Sequence, residues 1–431
     1  MRNPKCDGAN IVRLSTTQTF GMNLMHTKTD SLEQHVLALG SDELDEERIS
    51  RHLRPLFSRS LHHSREVIYL ANHSLGRALD QTENDVIEGL GHWYADRENA
   101  WSSWQEEMDA FRGRVATLIR APRADCVVPR ASAGQGLRTL LNCYASPIRV
   151  LTSADEFNSI DHILKTYARR GRIHLTRIAP KDGRLYRLED FLDAVRDESD
   201  LVVLSQVMFT TGQHLSFLPS LIDAAHQQGA KVLLDLYHAA GAVPVDVAAL
   251  DIDFALGGSY KYLRGGPGAG WLYLHPRHLD GTLETLDSGW FAESEPFAFA
   301  RPQAPELAAG GNRFLESTPA VLPFYQARAG LLLTLSLGVE RLRRYSLKQQ
   351  LFLEESLRRY GIRCLGRAEE RGAFIAIPHR HAQVVAETLE QAGVICDARE
   401  GLLRFCPDML NTREELTIAA DKLAEIWTRL P

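Results

Sequence analysis

The chain has 431 residues, 44% of them hydrophobic and 24% charged, with a formal net charge of -6. That is enough apolar content for a large core in two or three lobes, and the charge balance supplies no general basic field for nucleic acid. No run reaches the ~18 apolar residues of a membrane helix, and the N-terminus has no apolar signal segment, so a cytoplasmic protein with neither nucleic-acid nor membrane partner is expected.

Six cysteines, Cys6, Cys126, Cys143, Cys364, Cys396 and Cys406, lie scattered without paired spacing. They read as reduced thiols, with no metal site. Residues 1–45 are polar and poor in periodicity, and read as an N-terminal extension, partly disordered, with Met22 and Met25 as alternative starts.

Helical spacing over 45–57 leads to a short strand at 67–70 and the turn Ala71-Asn72-His73-Ser74-Leu75-Gly76. Two helical patterns follow, 80–94 and 101–119, with Trp93, Trp101 and Trp104 placed as core anchors. A strand at 126–128 then feeds the small-residue turn 129–136, PRASAGQG, and a helix from Leu137. Free backbone N–H groups and the helix dipole at such a start suit a phosphate, although a plain tight connection reads the same way.

A strand at 148–151 leads to Asp155-Glu156-Phe157-Asn158-Ser159, and an all-apolar strand at 201–207 to Met208 and Phe209 and a helix over 221–228. Apolar strands alternating with helices imply an α/β fold with a mostly parallel sheet covered on both faces. Long helical patterns over 321–345 and 347–360, with Arg341, Arg343 and Arg344 on a solvated face, precede strands at 373–377 and 402–405 of a smaller α+β lobe. The expected division is a large domain over 46–320, whose first helix packs on the small one, and a small domain over 321–431.

Chemistry concentrates in residues 231–270. One apolar run ends on Asp235, and a second leads through Gly257 and Gly258 to Ser259-Tyr260-Lys261. Both deliver a reactive group at a C-terminal strand end, where open α/β sheets bind ligands. An amine and a carboxylate so placed suit pyridoxal phosphate: the aldehyde condenses with the amine, and the carboxylate keeps the ring nitrogen protonated so that the ring draws electrons. Taken alone, the same residues also fit a helix-capping Asp and a solvated Lys.

The run of Asp235, His238 and Ser259 to Tyr262 resembles the cofactor core of the kynureninases, within the class V aminotransferase group of fold type I pyridoxal phosphate enzymes. Other matches extend the resemblance to about five-sixths of the chain. Ser74 to Gly76 match the end of that group's active-site turn, with His73 in place of an Asn. Ala133, Gly134 and Gln135 match its phosphate turn, and Phe157 its cofactor-stacking ring. Asp161 lies one position from the acid beside the ring hydroxyl. Gly289-Trp290-Phe291 resembles a run that reaches phosphate and substrate, Ser317-Thr318-Pro319 a substrate-facing turn, and Asp397-Ala398-Arg399 with Arg404 to Pro407 its C-terminal elements.

The resemblance implies a large parallel-sheet domain with a small C-terminal α+β domain, and a homodimer with its sites at the subunit interface. It implies Lys261, Tyr260 and Asp235 as catalytic residues. Gly134, Gln135, Phe157, Asp161, His238, Trp290 and Thr318 would bind the cofactor, and Arg404, His73, Ser74, Ser317 and Thr318 an amino acid substrate. Arg404 would take the substrate carboxylate through its planar fork, and Cys406 reads as structural. Two departures fall on the aryl pocket: the loop over 94–100 is short and lacks the kynureninases' histidine, and Thr318 stands where they use an Asn.

The reaction implied is hydrolysis of the Cβ–Cγ bond of a kynurenine-type amino acid to alanine and an aryl acid, a step of tryptophan catabolism. A class V aminotransferase, another lyase or decarboxylating enzyme on a different amino acid, and an inactive binding homologue are the alternatives. A cysteine desulfurase fits less well, because desulfurases stack a His on the cofactor and use a Cys on a mobile loop.

Overall fold

The computed structural model describes residues 26–63, 67–196 and 199–429. After a short strand β1 (Ile68–Tyr69), seven strands build the central sheet: β2 (Val127–Arg130), β3 (Ile148–Ser153), β4 (Ile173–Ile178), β5 (Leu201–Ser205), β6 (Lys231–Asp235), β7 (Phe254–Gly258) and β8 (Gly270–Leu274). Their order is β2-β8-β7-β6-β5-β3-β4. All neighbours pair in parallel except at β8, which is antiparallel to both β7 and β2.

Every residue of β5 and β7 is buried, as a sheet covered on both faces requires. This continuous burial is why the strands appear in the sequence as unbroken apolar runs. Strand β4 is different: only Ile173 is fully buried along it, and His174, Thr176 and Arg177 face solvent. It is an edge strand, and a search for apolar runs passes over it. In register, Ser205 stands opposite Asp235 and Asp235 opposite Leu256, so β5 and β6 end level and β7 runs on to Gly258.

The C-terminal part adds β9 (Ile375–Pro378), β10 (Val394–Ile395), β11 (Asp397–Arg399) and β12 (Leu402–Phe405). Three of these form an antiparallel sheet β11-β12-β9, and β1 pairs in parallel with β10. Ile68 and Leu70 accordingly belong to an apolar cluster with Leu353, Ile375, Leu403 and Leu423, separate from the core around the large sheet.

Of the stretch read as an extension, residues 1–25 lie outside the described residues. From His26 to Ala38 the chain is helical, and Leu32, Leu39 and Leu44 are buried with Leu333 and Leu337. The long C-terminal helices are Leu322–Leu337 and Val339–Arg359, divided at Gly338, whose φ of +79° ends a helix at little cost.

Two expectations are corrected. Trp93 is 61% exposed and anchors no core, whereas Trp104 donates its indole N–H to the Gly89 carbonyl. Arg343 is no solvated face residue: its guanidinium donates to the carbonyls of Arg371 and Gly372, and burial lowers its pKa to about 10.

Candidate active site

A cavity of about 270 Å³ opens where β5, β6 and β7 end, with Asp235, His238, Tyr260, Lys261 and Phe157 among its lining. Lys261 is 4% exposed. Its Nζ lies 5.5 Å from the Phe157 ring centroid, 5.7 Å from that of Tyr237 and 5.6 Å from that of Tyr260. Burial lowers its pKa to about 7, against the opposing pull of Asp235 and with some help from Arg404. A neutral amine, the form that attacks a carbonyl, is therefore available near pH 7.

Asp235 closes β6, accepts the Tyr237 backbone N–H at 2.8 Å, and has its carboxyl raised by burial while that N–H and Lys261 act the other way. His238 follows on the same segment, 5% exposed, and neither of its ring nitrogens finds a hydrogen-bond partner. Burial, with Lys261 beside it, keeps the imidazole neutral. A buried ring with both nitrogens unsatisfied is costly unless a ligand completes it.

The turn Ala71–Gly76 backs the lysine. Gly76 donates its N–H to the Tyr260 carbonyl at 2.8 Å, and a Cβ at Gly76 would come within 2.0 Å of the Lys261 carbonyl oxygen. Ser74 is exposed on this turn. His73 is buried, and its Nε2 lies 2.9 Å from an Asp397 oxygen. Burial lowers its pKa to about 4 despite that bond, so the ring is neutral at pH 7 and donates Nε2–H.

Asp397 also receives Arg404, from Nε at 2.8 Å and from Nη2, while Arg404 Nη1 donates to the Phe209 carbonyl at 2.6 Å. Burial alone would raise the Asp397 carboxyl, but the hydrogen bonds from His73 and Arg404 outweigh it and hold it well below the usual range. Arg404 thus stands 1% exposed between the Phe209 and Phe374 rings, its centre 4.8 and 5.4 Å from their centroids.

The other expected residues divide between this cavity and its surroundings. Gly134 lines the cavity at the start of helix Ala133–Leu141, whose cap Ser132 accepts the Gln135 N–H at 3.2 Å. The Gln135 side chain turns away, accepting the Ala131 N–H and donating to Glu316. With Ser317 and Thr318 it lines a second cavity of about 280 Å³. Asp161 pairs with Lys165 at 2.6 Å and Arg177 at 3.2 Å on an open groove beside the site, so its carboxylate is not among the lining of the Lys261 cavity. Trp290 packs between buried Phe291 and the exposed rings of Phe297 and Phe299. Cys406 is buried, its Sγ against the Ala373 carbonyl, and burial pushes the thiol up.

Sequence reasoning passed over Glu156. Its carboxylate accepts Ser153 Oγ at 2.8 Å, Ser205 Oγ at 2.6 Å and Ser205 N–H at 3.0 Å. Burial raises it to about 7, with these bonds opposing. The signal was an acid three residues after a buried strand, with serines ending that strand and its neighbour.

A buried amine and a carboxylate at adjoining strand ends, an aromatic ring beside the amine and an unsatisfied imidazole together fit pyridoxal phosphate, and they define a pyridoxal phosphate enzyme on an α/β scaffold. Residues 74–406 match the family described as aminotransferase class-V, and the chain belongs to that family. It is 31% identical to the kynureninase of Deinococcus radiodurans over 360 residues, covering 79% of this chain and 85% of the relative. With the kynureninase of Geobacillus thermodenitrificans the identity is 28% over 396 residues, covering 86% and 90%.

Among solved structures, a C-DES mutant with glycine covalently linked to its pyridoxal phosphate cofactor superposes with a TM-score of 0.78 at 19% identity, covering 86% of this chain and 99% of that one. The apo cysteine desulfurase of Thermococcus onnurineus NA1 gives 0.73 at 19%, covering 85% and 96%. At such identity the likeness is one of fold. The family, the fold and the pyridoxal phosphate cofactor expected from the sequence therefore stand. Among the described residues, no helix is long and apolar enough to cross a membrane and no acidic, His or Cys cluster could hold a metal ion.

Proposed function

We propose that this protein is a cytoplasmic hydrolase that cleaves the Cβ–Cγ bond of a kynurenine-type amino acid to alanine and an aryl acid. The observation that carries this reading is a buried, partly neutral Lys261 in one cavity with Asp235, in a chain that follows kynureninases over most of its length.

Bound pyridoxal phosphate supplies an electron sink at the substrate Cα. Asp235 would hold the proton on the ring nitrogen, and Phe157 and His238 would bound the ring. Arg404 takes the substrate carboxylate with the N–H groups that Asp397 and Phe209 leave free. Lys261, whose amine is partly neutral near pH 7, would take the Cα proton. Tyr260, whose phenol burial raises to about 12, keeps its proton and can hand it on as water adds at the γ-carbonyl.

Ser317 and Thr318 line a cavity other than that of Lys261. In a homodimer the copies of these residues, with Trp290, that complete a site are the partner's, and exposed Trp93, Tyr94 and Phe299 offer apolar surface for the contact. A second reading, a different amino acid at the same cofactor site, is favoured by the single turn Arg97–Asn99 that joins helices Gln81–Asp96 and Ala100–Ile119 where kynureninases carry a longer loop.

Cofactor-loaded protein mixed with L-kynurenine or 3-hydroxykynurenine tests the proposal. Formation of anthranilate or 3-hydroxyanthranilate together with alanine is the expected result. A keto acid with the pyridoxamine form of the cofactor would establish transamination instead, and no turnover of either compound would move the search to other amino acids.

A further inference from the structure

Tyr237 follows Asp235 by two residues and lines the same cavity. It is 9% exposed, and its ring centroid lies 5.4 Å from that of Tyr260. Its backbone N–H holds the Asp235 carboxylate, while its side chain reaches back across the sheet end. There the hydroxyl fills the space over two glycines: a Cβ on Gly258 would come within 2.1 Å of the phenol oxygen, and one on Gly270 within 3.2 Å. Glycine at both places is what lets the phenol lie down on β7 and β8.

The hydroxyl lies toward the start of helix Ala133–Leu141, whose Ala133 backbone N–H acts on it to draw its pKa down. That amide is a donor, so the phenol is left with its own proton to give. It keeps that proton, because burial, and then neighbouring Tyr260 and Asp235, raise its pKa far beyond the ordinary 10. Tyr260 carries a second protonated phenol on the same wall. Gly134 borders the cavity at the same helix start, while Ser132 Oγ already takes the Gln135 amide. Two phenols and the first turn of helix Ala133–Leu141 bring donors to this end of the cavity, the converse of the Asp235 end, and such an end suits a multiply charged oxyanion.

We propose that Tyr237 donates a hydrogen bond to the phosphate of bound pyridoxal phosphate and, with Tyr260, forms a paired-phenol clamp at the first turn of helix Ala133–Leu141. The inference concerns only the cofactor, so it stands or falls independently of which amino acid is the substrate.

Tyr237→Phe removes the hydroxyl and keeps the ring over Gly258. Cofactor-free wild type and variant are titrated with pyridoxal phosphate and, separately, with pyridoxal, which has the aldehyde and ring but no phosphate. The expected result is a fall of about tenfold in affinity for pyridoxal phosphate with pyridoxal affinity held within about twofold. Inorganic phosphate should also compete less well against pyridoxal phosphate in the variant. Equal losses for the two ligands would assign the hydroxyl to packing, and unchanged affinity for pyridoxal phosphate would assign it no contact; either result overturns the proposal.

Discussion

Lys261 and Asp397 are single groups whose protonation the fold controls, and each makes a measurable demand. Burial brings Lys261 to about 7, so the neutral amine that condenses with the cofactor aldehyde is present above that pH and lost below it. The rate at which cofactor-free protein takes up pyridoxal phosphate should rise with pH through about 7 and then level off. A rate still climbing toward pH 10 would show an ordinary, solvated lysine.

Asp397 is ionised in the fold well below its unfolded value. Its stabilisation is therefore complete above pH ~4 and is lost as pH falls through the lower, folded value. Asp397→Asn should cost about 3 kcal/mol at pH 7, because it leaves the buried Arg404 charge unpaired. Denaturant unfolding should show that gap narrowing as pH drops below ~4, and a gap independent of pH would remove the carboxylate's charge from the account. At this scale the sequence was most informative at strand ends: Asp235 and Lys261 are legible because one apolar run stops on the first and another leads through Gly257 to Tyr260 onto the second. Asp161 is an ion-paired, half-buried acid in the neighbouring groove, while the fully buried carboxylate near it in sequence is Glu156, to which the sequence pattern assigned no role. Trp93 misled because helical spacing reveals an apolar stripe without saying what covers it.

Among the elements, the turn Ala71–Gly76 has the tightest fit to the site. Gly76 packs its bare Cα against the Lys261 carbonyl, so Gly76→Ala should destabilise the fold by about 1–3 kcal/mol and slow cofactor uptake. An unchanged melting temperature would mean that the turn yields freely. The short strand at β1 was legible as a strand, but its pairing with β10 was not, because two residues of pattern cannot name a partner that far along the chain. The buried strands β5, β6 and β7 were legible throughout, whereas β4 was not, since an edge strand with solvated His174 and Arg177 lacks the apolar run that marks the others. The early end of helix Leu322–Leu337 had a signal in Gly338, which the continuous apolar pattern on either side concealed.

At the scale of the whole molecule, the separation of Ser317 and Thr318 from the Lys261 cavity makes the proposed dimer testable by complementation. Lys261→Ala protein mixed and reassembled with a Ser317→Ala/Thr318→Ala double variant should recover about a quarter of wild-type activity, since half of randomly formed dimers are hybrids and each hybrid has one intact site. No recovery from hybrids of confirmed composition would place both sets of residues in one protomer's site. The fold and cofactor were readable from the sequence because they rest on residues whose chemistry is fixed by position along the strand ends. The substrate was not, because the proposed pocket would draw on the 94–100 junction and on Thr318, where the sequence departs from the kynureninase pattern it resembles.

The central claim is hydrolysis of a carbon–carbon bond, and turnover of L-kynurenine in isotopically labelled water tests it most directly. The account predicts alanine and anthranilate in equal amounts, with oxygen from the labelled water in the anthranilate carboxylate. Cofactor-loaded protein that binds kynurenine yet yields a keto acid, or yields neither product, would contradict it.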